Sequence, residues 1–235
     1  RIRVRMTNVS RAGGMIIENF DMMVLRGEQV VYDGTTSFGF FSKEALERQV
    51  GIRDAGPRMF MPTSTERTTA KSFALPKVAP MTPDDAGAIT FEEQSVGAEL
   101  PAKAFRMLDQ VDALIPDGGP HGLGFVQGSA KVDPSAWFFK AHFYQDPVWP
   151  GSLGLESMLQ LMKAFALDRW PQLAATHRFE PIAVGMTHEW IYRGQIIPTN
   201  ERVEVQATII RCDEGEQPLL VADGFLSVDG TAIYE

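Results

Sequence analysis

The chain has 235 residues and a net charge of −8 at pH 7, with 44% hydrophobic and 22% charged residues. This composition is typical of a globular protein with its own core, and the negative charge argues against nucleic-acid or anionic-membrane partners. Cys212 is the single cysteine, which excludes a disulfide within the chain and favours a reducing compartment such as the cytoplasm. No apolar stretch approaches the roughly 20 residues of a transmembrane helix.

Residues 1–52 predict a β unit. Apolar and polar residues alternate through residues 1–41, as in strands with one buried face, and two long strands meet at a turn at Arg26–Glu28. Residues 42–51 predict a short helix with Ser42 as its N-cap.

Residues 53–99 differ in composition from the segments on either side. They are rich in proline, threonine, serine and alanine, and their apolar runs are short. This pattern predicts a linker at the surface. The sequence begins at Arg1 inside an alternating pattern and without an initiator methionine, so we expect a piece of a longer polypeptide.

Residues 100–235 predict one domain with a single strong helix. The helix is expected over residues 152–170, where apolar residues cover most of the circumference, as in a buried helix. Strands are expected at 122–133, 136–144, 182–197, 201–212, 218–230 and 231–235. One buried helix among many strands favours an α+β fold in which an antiparallel sheet wraps around a central helix.

The polar residues of this helix form one narrow stripe. Glu156, Gln160 and Lys163 lie at positions i, i+4 and i+7 and so share a face. A solvated edge of the helix, with Lys163 as a loose partner of Glu156, is one interpretation. The apolar surroundings favour another, because a carboxyl group in a low-dielectric environment has a raised pKa and suits a general acid near neutral pH. Glu156 is therefore a candidate catalytic acid.

The turn before the helix is rich in proline and glycine. Pro147 and Pro150 stiffen it, and Gly151 permits close approach of the backbone. The first amides of the helix, near Gly151 and Ser152, lack intrahelical acceptors and lie at the positive end of the helix dipole. They therefore suit a negatively charged oxygen such as that of an enolate. An ordinary helix capped by Ser152 is the alternative.

His142 is the histidine closest in sequence to this turn. It is expected on the strand at residues 136–144, on the face shared with Phe138 and Lys140, where a packed structural histidine is the alternative to a catalytic one. The other histidines do not show the spacing of metal ligands, and the acidic residues after Cys212 disfavour a thiolate there. These weaker candidates are His121, His177 and His188. No metal site is predicted.

One long segment resembles the active site of the β-hydroxydecanoyl-acyl carrier protein dehydratase family, whose members have the hotdog fold: residues 137–161, WFFKAHFYQDPVWPGSLGLESMLQL. The resemblance extends over residues 100–235 through LPAKAFRMLDQV, YRGQIIPTNERVEVQATI and VADGFLSVDGTAIYE. Glu156 stands where this subfamily usually has aspartate, and the sister family of hydroxyacyl dehydratases uses glutamate. Ser152 and Gln145 stand where the decanoyl enzyme has cysteine and glycine.

The resemblance implies dehydration of a 3-hydroxyacyl thioester to a 2-enoyl thioester. His142 would remove the α-proton, and Glu156 would protonate the departing hydroxyl group. The Gly151 amide, with Ser152 beside it, would hold the thioester carbonyl. No metal or redox cofactor is implied, since the substrate arrives on the phosphopantetheine arm of an acyl carrier protein.

Four further residues would support this chemistry. The carbonyl of Val148 would accept a hydrogen bond from the His142 ring and fix its tautomer. Gln160 would orient the acidic side chain, and Asp146 and Pro147 would shape the turn.

The resemblance also implies a partner. In the family dimer the histidine of one hotdog meets the acid of another, and here both candidates fall in one predicted hotdog. We therefore expect a homodimer or pairing with another hotdog unit.

Residues 1–52 weakly repeat the C-terminal strands: MMVLRGEQVVYDGTTSF resembles GFLSVDGTAIYE. This predicts a partial hotdog before the linker, as in the double hotdogs of polyunsaturated fatty acid synthases.

Two alternatives use the same fold. A thioesterase would activate water with a carboxylate and would not need His142 before the turn. A non-catalytic hotdog would only scaffold a megasynthase, which the presence of both His142 and Glu156 disfavours.

Overall fold

The computed structural model describes residues 1–75, 97–101, 105–180 and 182–235. The chain divides into two compact units, Arg1–Gln49 and Val50–Glu235. Within the described residues, none of the helices combines the length and the apolar character needed to cross a bilayer.

The first unit is a three-stranded antiparallel sheet followed by a short helix. Its elements are β1 (Ile2–Ala12), β2 (Met15–Arg26), β3 (Gln29–Phe40) and α1 (Lys43–Glu47), with β2 in the centre of the sheet. Because Arg26 pairs with Gln29, the turn has two residues, and Gly27 supplies the positive φ that it needs. The Ser42 hydroxyl accepts a hydrogen bond from the Ala45 amide, which confirms the predicted N-cap.

The second unit combines a six-stranded antiparallel sheet with one long helix. Its strands lie side by side in chain order: β4 (Lys71–Ala74), β5 (Gln110–Ile115), β6 (Phe125–Lys131), β7 (Arg202–Asp213), β8 (Leu219–Val228) and β9 (Thr231–Tyr234). Its helices are α2 (Ala55–Arg58), α3 (Ser64–Thr69), α4 (Trp137–Ala141) and α5 (Gly151–Arg169), and a 3-10 turn follows at Pro171–Leu173.

The long helix α5 is the predicted central helix. Only Ser152 and Arg169 are exposed along it, and it packs against β5, β6, β7 and β8. Leu161 and Phe165 are among its fully buried side chains. The apolar circumference seen in the sequence is therefore buried against the sheet, and the predicted α+β architecture is confirmed.

Part of the predicted linker is folded. Residues 53–75 contain α2, α3 and β4, and β4 pairs with β5 at the edge of the sheet. The Thr63 hydroxyl accepts from the Glu66 amide, and the Glu66 carboxylate accepts from the Thr63 amide, so a capping box starts α3. The composition of this segment does not reveal the capping box, which depends on the spacing of Thr63 and Glu66 alone. Residues 76–96 of the predicted linker lie outside the described residues.

The strand predicted at residues 182–197 does not form, which corrects the sequence analysis. Tyr192 forms one isolated bridge to Tyr234 of β9. Gly194 and Pro198 follow closely, and glycine weakens strands while proline lacks the amide that a ladder needs. The alternating pattern therefore produces only a short contact at the edge of the sheet.

Candidate active site

His142 ends a helix, so the predicted strand at residues 136–144 is wrong. The helix is α4, and the His142 amide donates to the Phe138 carbonyl at 2.8 Å. Phe138 and Phe139 are both buried, whereas a strand would place adjacent side chains on opposite faces. Both rings pack against Trp149, with ring centroids 4.6 and 6.3 Å away, and this packing favours the helix.

The His142 ring is half-buried and is oriented by the backbone of the following turn. Its Nδ1 lies 3.1 Å from the carbonyl oxygen of Val148. A carbonyl only accepts hydrogen bonds, so Nδ1 carries the hydrogen and Nε2 keeps its lone pair. The contact expected between His142 and Val148 is present, and it leaves Nε2 able to act as a base.

The loop after His142 contains two residues in the left-handed backbone region. Phe143 has a φ of 57° and Gln145 a φ of 60°. This conformation costs a non-glycine residue about 1–2 kcal/mol. Asp146 and Pro147, which were expected to shape the turn, are exposed. The connection from the histidine to the turn is therefore tight and strained.

Replacing Gln145 with glycine should leave the free energy of unfolding unchanged or raise it by up to about 1 kcal/mol. Relief of the left-handed backbone slightly outweighs the extra chain entropy of glycine. Urea unfolding measures the effect. The matched control is Gln217→Gly, at an exposed residue whose φ is not positive, and this variant should be destabilised. Equal destabilisation of the two variants would contradict the prediction.

Helix α5 begins with Pro150 as its N-cap residue, and no side chain caps it. The Pro150 carbonyl accepts from the amides of Leu153 at 2.9 Å and Gly154 at 3.2 Å. Within the described part of the chain, the amides of Gly151 and Ser152 have no acceptor. The alternative of a Ser152-capped helix is therefore wrong, and two amides are available at the positive end of the helix dipole.

Two tyrosine rings explain the glycines in the first turn of α5. A Cβ on Gly151 would lie 3.0 Å from the Tyr192 ring, and one on Gly154 would lie 2.3 Å from the Tyr234 ring. The rings meet edge to face with centroids 4.6 Å apart. Burial raises the pKa of Tyr192 to about 12, so its phenol is neutral beside the helix start. The sequence analysis missed Tyr192, because alternation alone does not indicate what a residue contacts.

Glu156 lies in the second turn of α5 with its side chain 22% exposed. Its Oε1 accepts hydrogen bonds from the Gln160 side-chain amide at 3.1 Å and from the Lys163 ammonium at 3.4 Å. The contact expected between Gln160 and Glu156 is therefore present. Within the described residues, Oε2 has no hydrogen-bond partner, so this oxygen is available to bind a ligand or exchange a proton.

Gln160 is fixed at both ends of its amide. It is fully buried, its Nε2 donates to the Phe105 carbonyl at 2.6 Å, and its Oε1 accepts from the Met107 amide at 2.9 Å. A buried amide with these partners has little freedom to turn. It therefore holds the Glu156 carboxyl group in one orientation.

The predicted site residues form two groups. His142 and Val148 make one, and Glu156 with Gln160 makes the other. Across the described ranges, no hydrogen bond joins the His142 ring to the Glu156 carboxyl group. The free Gly151 amide lies between the two groups in the sequence.

A cavity of about 1140 Å³ runs along α5, between this helix, β8 and the loop that follows α5. Its helix wall is mostly apolar: Leu155, Met158, Leu159, Met162, Ala166 and Leu167. Leu155 directly precedes Glu156, and Lys163 also lines the cavity. The rest of the lining includes charged residues such as Arg178, Glu189 and Asp223, so only the helix wall suits the hydrophobic part of a ligand.

Of the other candidate residues, His121 is exposed and does not line the cavity. His177 and His188 line the cavity, but the His177 Nε2 contacts the Glu216 carbonyl at 2.9 Å and His188 is exposed. Burial raises the pKa of the Cys212 thiol, which makes it a poor nucleophile. In the part of the chain that the structure describes, no cluster of three histidine, cysteine or acidic residues could hold a metal ion.

Comparison with known proteins gives matches over most of the chain. Residues 100–235, more than half of the chain, match the FabA-like domain family. One of the subunits of the polyunsaturated fatty acid synthase from Thraustochytrium sp. (strain ATCC 26185 / S-3) is 34% identical over 239 residues. The match covers 97% of this chain but only 15% of that protein's length.

A solved structure, the dehydratase heterocomplex ApeI:P from Xenorhabdus doucetiae, resembles part of the chain. Its TM-score is 0.37 and its sequence identity is 14%. The superposition covers 57% of this chain and 80% of the other.

Proposed function

Because the chain belongs to the FabA-like domain family, we propose that residues 100–235 dehydrate a 3-hydroxyacyl thioester to a 2-enoyl thioester. The substrate is carried on the phosphopantetheine arm of a cytoplasmic acyl carrier protein. The similarity to part of a polyunsaturated fatty acid synthase supports a place in fatty acid or polyunsaturated fatty acid synthesis. Both chemical steps are proton transfers, so the reaction requires no metal or redox cofactor.

His142 is the proposed base. Its Nε2 takes a proton from the carbon between the thioester carbonyl and the carbon that bears the hydroxyl group. The Val148 carbonyl, bound at Nδ1, stabilises the positive charge that the ring acquires. The carbonyl also keeps the ring in the tautomer that accepts at Nε2.

The start of α5 is the proposed binding place for the thioester oxygen. When the α-proton leaves, electron density moves onto this oxygen, and the Gly151 amide donates to it. The Ser152 amide and the positive end of the helix dipole add to this stabilisation.

Glu156 is the proposed acid. Its Oε2 gives a proton to the 3-hydroxyl group, which leaves as water while the double bond forms. Its Oε1 stays bound to Gln160, so the carboxyl group keeps its orientation throughout. The oxygen without a partner is the one that reacts.

The cavity along α5 is the proposed site of the acyl chain. Its wall contains Leu155 and Leu159, the neighbours of Glu156 at the preceding position and one turn further along the helix. The lining residues run from Leu155 of α5 to Trp170 just after its end, about 22 Å at 1.5 Å per residue.

A second hotdog unit is the proposed partner that completes the site. The described residues do not join His142 to Glu156, and the family pairs these groups between hotdogs. The partner is a second copy of this chain or another unit of the same synthase. The three strands β1, β2 and β3 repeat the antiparallel order of β7, β8 and β9, which supports a partial hotdog in the first unit.

The observation that most favours this function is the contact between His142 and Val148, because it prepares one ring nitrogen as a base. The test is incubation of the protein with 3-hydroxyacyl-pantetheine thioesters of several chain lengths. Mass spectrometry should show loss of one water from the intact thioester. Release of a free acid and a thiol would indicate a thioesterase, and no change at any chain length would contradict a catalytic function.

A further inference from the structure

Lys163 is the least exposed lysine among the ion pairs of the described residues. Its side chain is 13% exposed, against 54% for Lys71 and 85% for Lys43. Removing an ammonium group from water is costly unless a partner compensates. The partner is Glu156, whose Oε1 lies 3.4 Å from the Lys163 Nζ.

Packing does not explain why this residue is a lysine. Lys163 lines the apolar cavity beside Leu159, Met162 and Ala166, where an aliphatic side chain of similar length would fit. Replacement of a buried ion pair by apolar residues is often neutral or stabilising. The presence of an ammonium at this position therefore points to a role in the chemistry of its partner.

We propose that Lys163 is a positioning residue for Glu156, an inference that rests on the proposed function. Together with Gln160 it occupies Oε1, which leaves Oε2 as the oxygen that exchanges a proton with the substrate. Its charge also stabilises the carboxylate that remains once the proton has moved to the departing hydroxyl group. Lys163 transfers no proton itself, and it acts on the chemistry through Glu156.

Lys163→Met tests the proposal, with Lys71→Met as the matched control. Lys71 pairs with Asp168 at 2.6 Å on the surface of the same unit, so the control also removes one ammonium from one ion pair. We expect kcat for Lys163→Met to fall by about 10- to 10²-fold with KM unchanged, because a misplaced catalytic group costs on this order. The Lys71 variant should keep the kcat of the unchanged protein. Equal kcat values for both variants would overturn the proposal.

Chemical rescue separates this role from a purely structural one. Methylammonium should restore part of the kcat of Lys163→Ala, since the cavity admits a small cation at the vacated position. Methylammonium should have no effect on Lys71→Ala.

Adding Lys163→Met to Glu156→Gln should cause no further fall in kcat, because both changes act on one proton transfer. A full additional fall would assign Lys163 a role independent of Glu156.

A second measurement distinguishes failure of this inference from failure of the proposed function. If the unchanged protein does not dehydrate any thioester, the function is wrong. The pairing is then judged by a double-mutant cycle of Lys163→Met and Glu156→Gln in the free energy of unfolding. Coupling between the two changes supports the pairing, and additive effects overturn it.

Discussion

Replacing His142 with alanine should lower the rate of water loss from a 3-hydroxyacyl thioester by about 10²–10⁴-fold, the usual cost of removing a positioned general base. The remaining carboxyl group and backbone amides cannot take the α-proton. The ring is half-buried and contacts Val148 and Phe143, so the free energy of unfolding should change by no more than about 1–2 kcal/mol. Single-turnover mass spectrometry and urea unfolding measure the two effects.

The matched control for His142 is His121→Ala. His121 is exposed, and the structure shows no hydrogen bond to its ring among the described residues. This variant should retain the full rate. A His142 variant with the full rate would remove the imidazole from the mechanism, whereas one that fails to unfold cooperatively would show a structural role instead.

Replacing Glu156 with glutamine should lower the same rate by about 10²–10⁴-fold, because the amide keeps the shape of the side chain but has no acidic proton. The new side chain still accepts from Gln160 through its oxygen, so its orientation is preserved. The Lys163 ammonium loses its counter-charge, and we expect a loss of stability of about 1–3 kcal/mol. The rate is measured at a temperature where the variant remains folded.

Glu47→Gln is the control for this charge change. Glu47 is 63% exposed and lies 3.9 Å from Lys43 on α1, so its neutralisation should affect neither the rate nor the stability measurably. If Glu156→Gln keeps its rate, the acid is another group. A variant that loses substrate binding but keeps kcat would assign Glu156 to recognition.

The part of the site that lies on α5 could be predicted, because helical geometry depends only on residues close in sequence. Residues 152–170 are apolar over most of the helix circumference, and Glu156, Gln160 and Lys163 form one polar stripe at helical spacing. Once that segment is a helix, the spacing alone places their side chains on one face. The hydrogen bonds between these side chains follow the same geometry.

The surroundings of His142 could not be predicted in the same way. The segment at residues 136–144 alternates well enough for a strand, yet Phe138 and Phe139 both turn toward Trp149 and form a helix. Trp149 lies beyond the loop, so its contact with both rings depends on how the chain folds back. Short aromatic runs do not distinguish helix from strand, and distant packing decides between them.

From its amino acids alone, the chain determines one buried helix among strands, a carboxyl group on that helix, and a glycine at its first position. These features depend on spacing and backbone sterics, which act between residues close in sequence. The tertiary structure decides that Val148 selects the His142 tautomer, that Tyr192 covers Gly151, and that Lys163 is withdrawn from water. Each of these depends on long-range packing, because side chains meet across a core only after the sheet and the helix have come together.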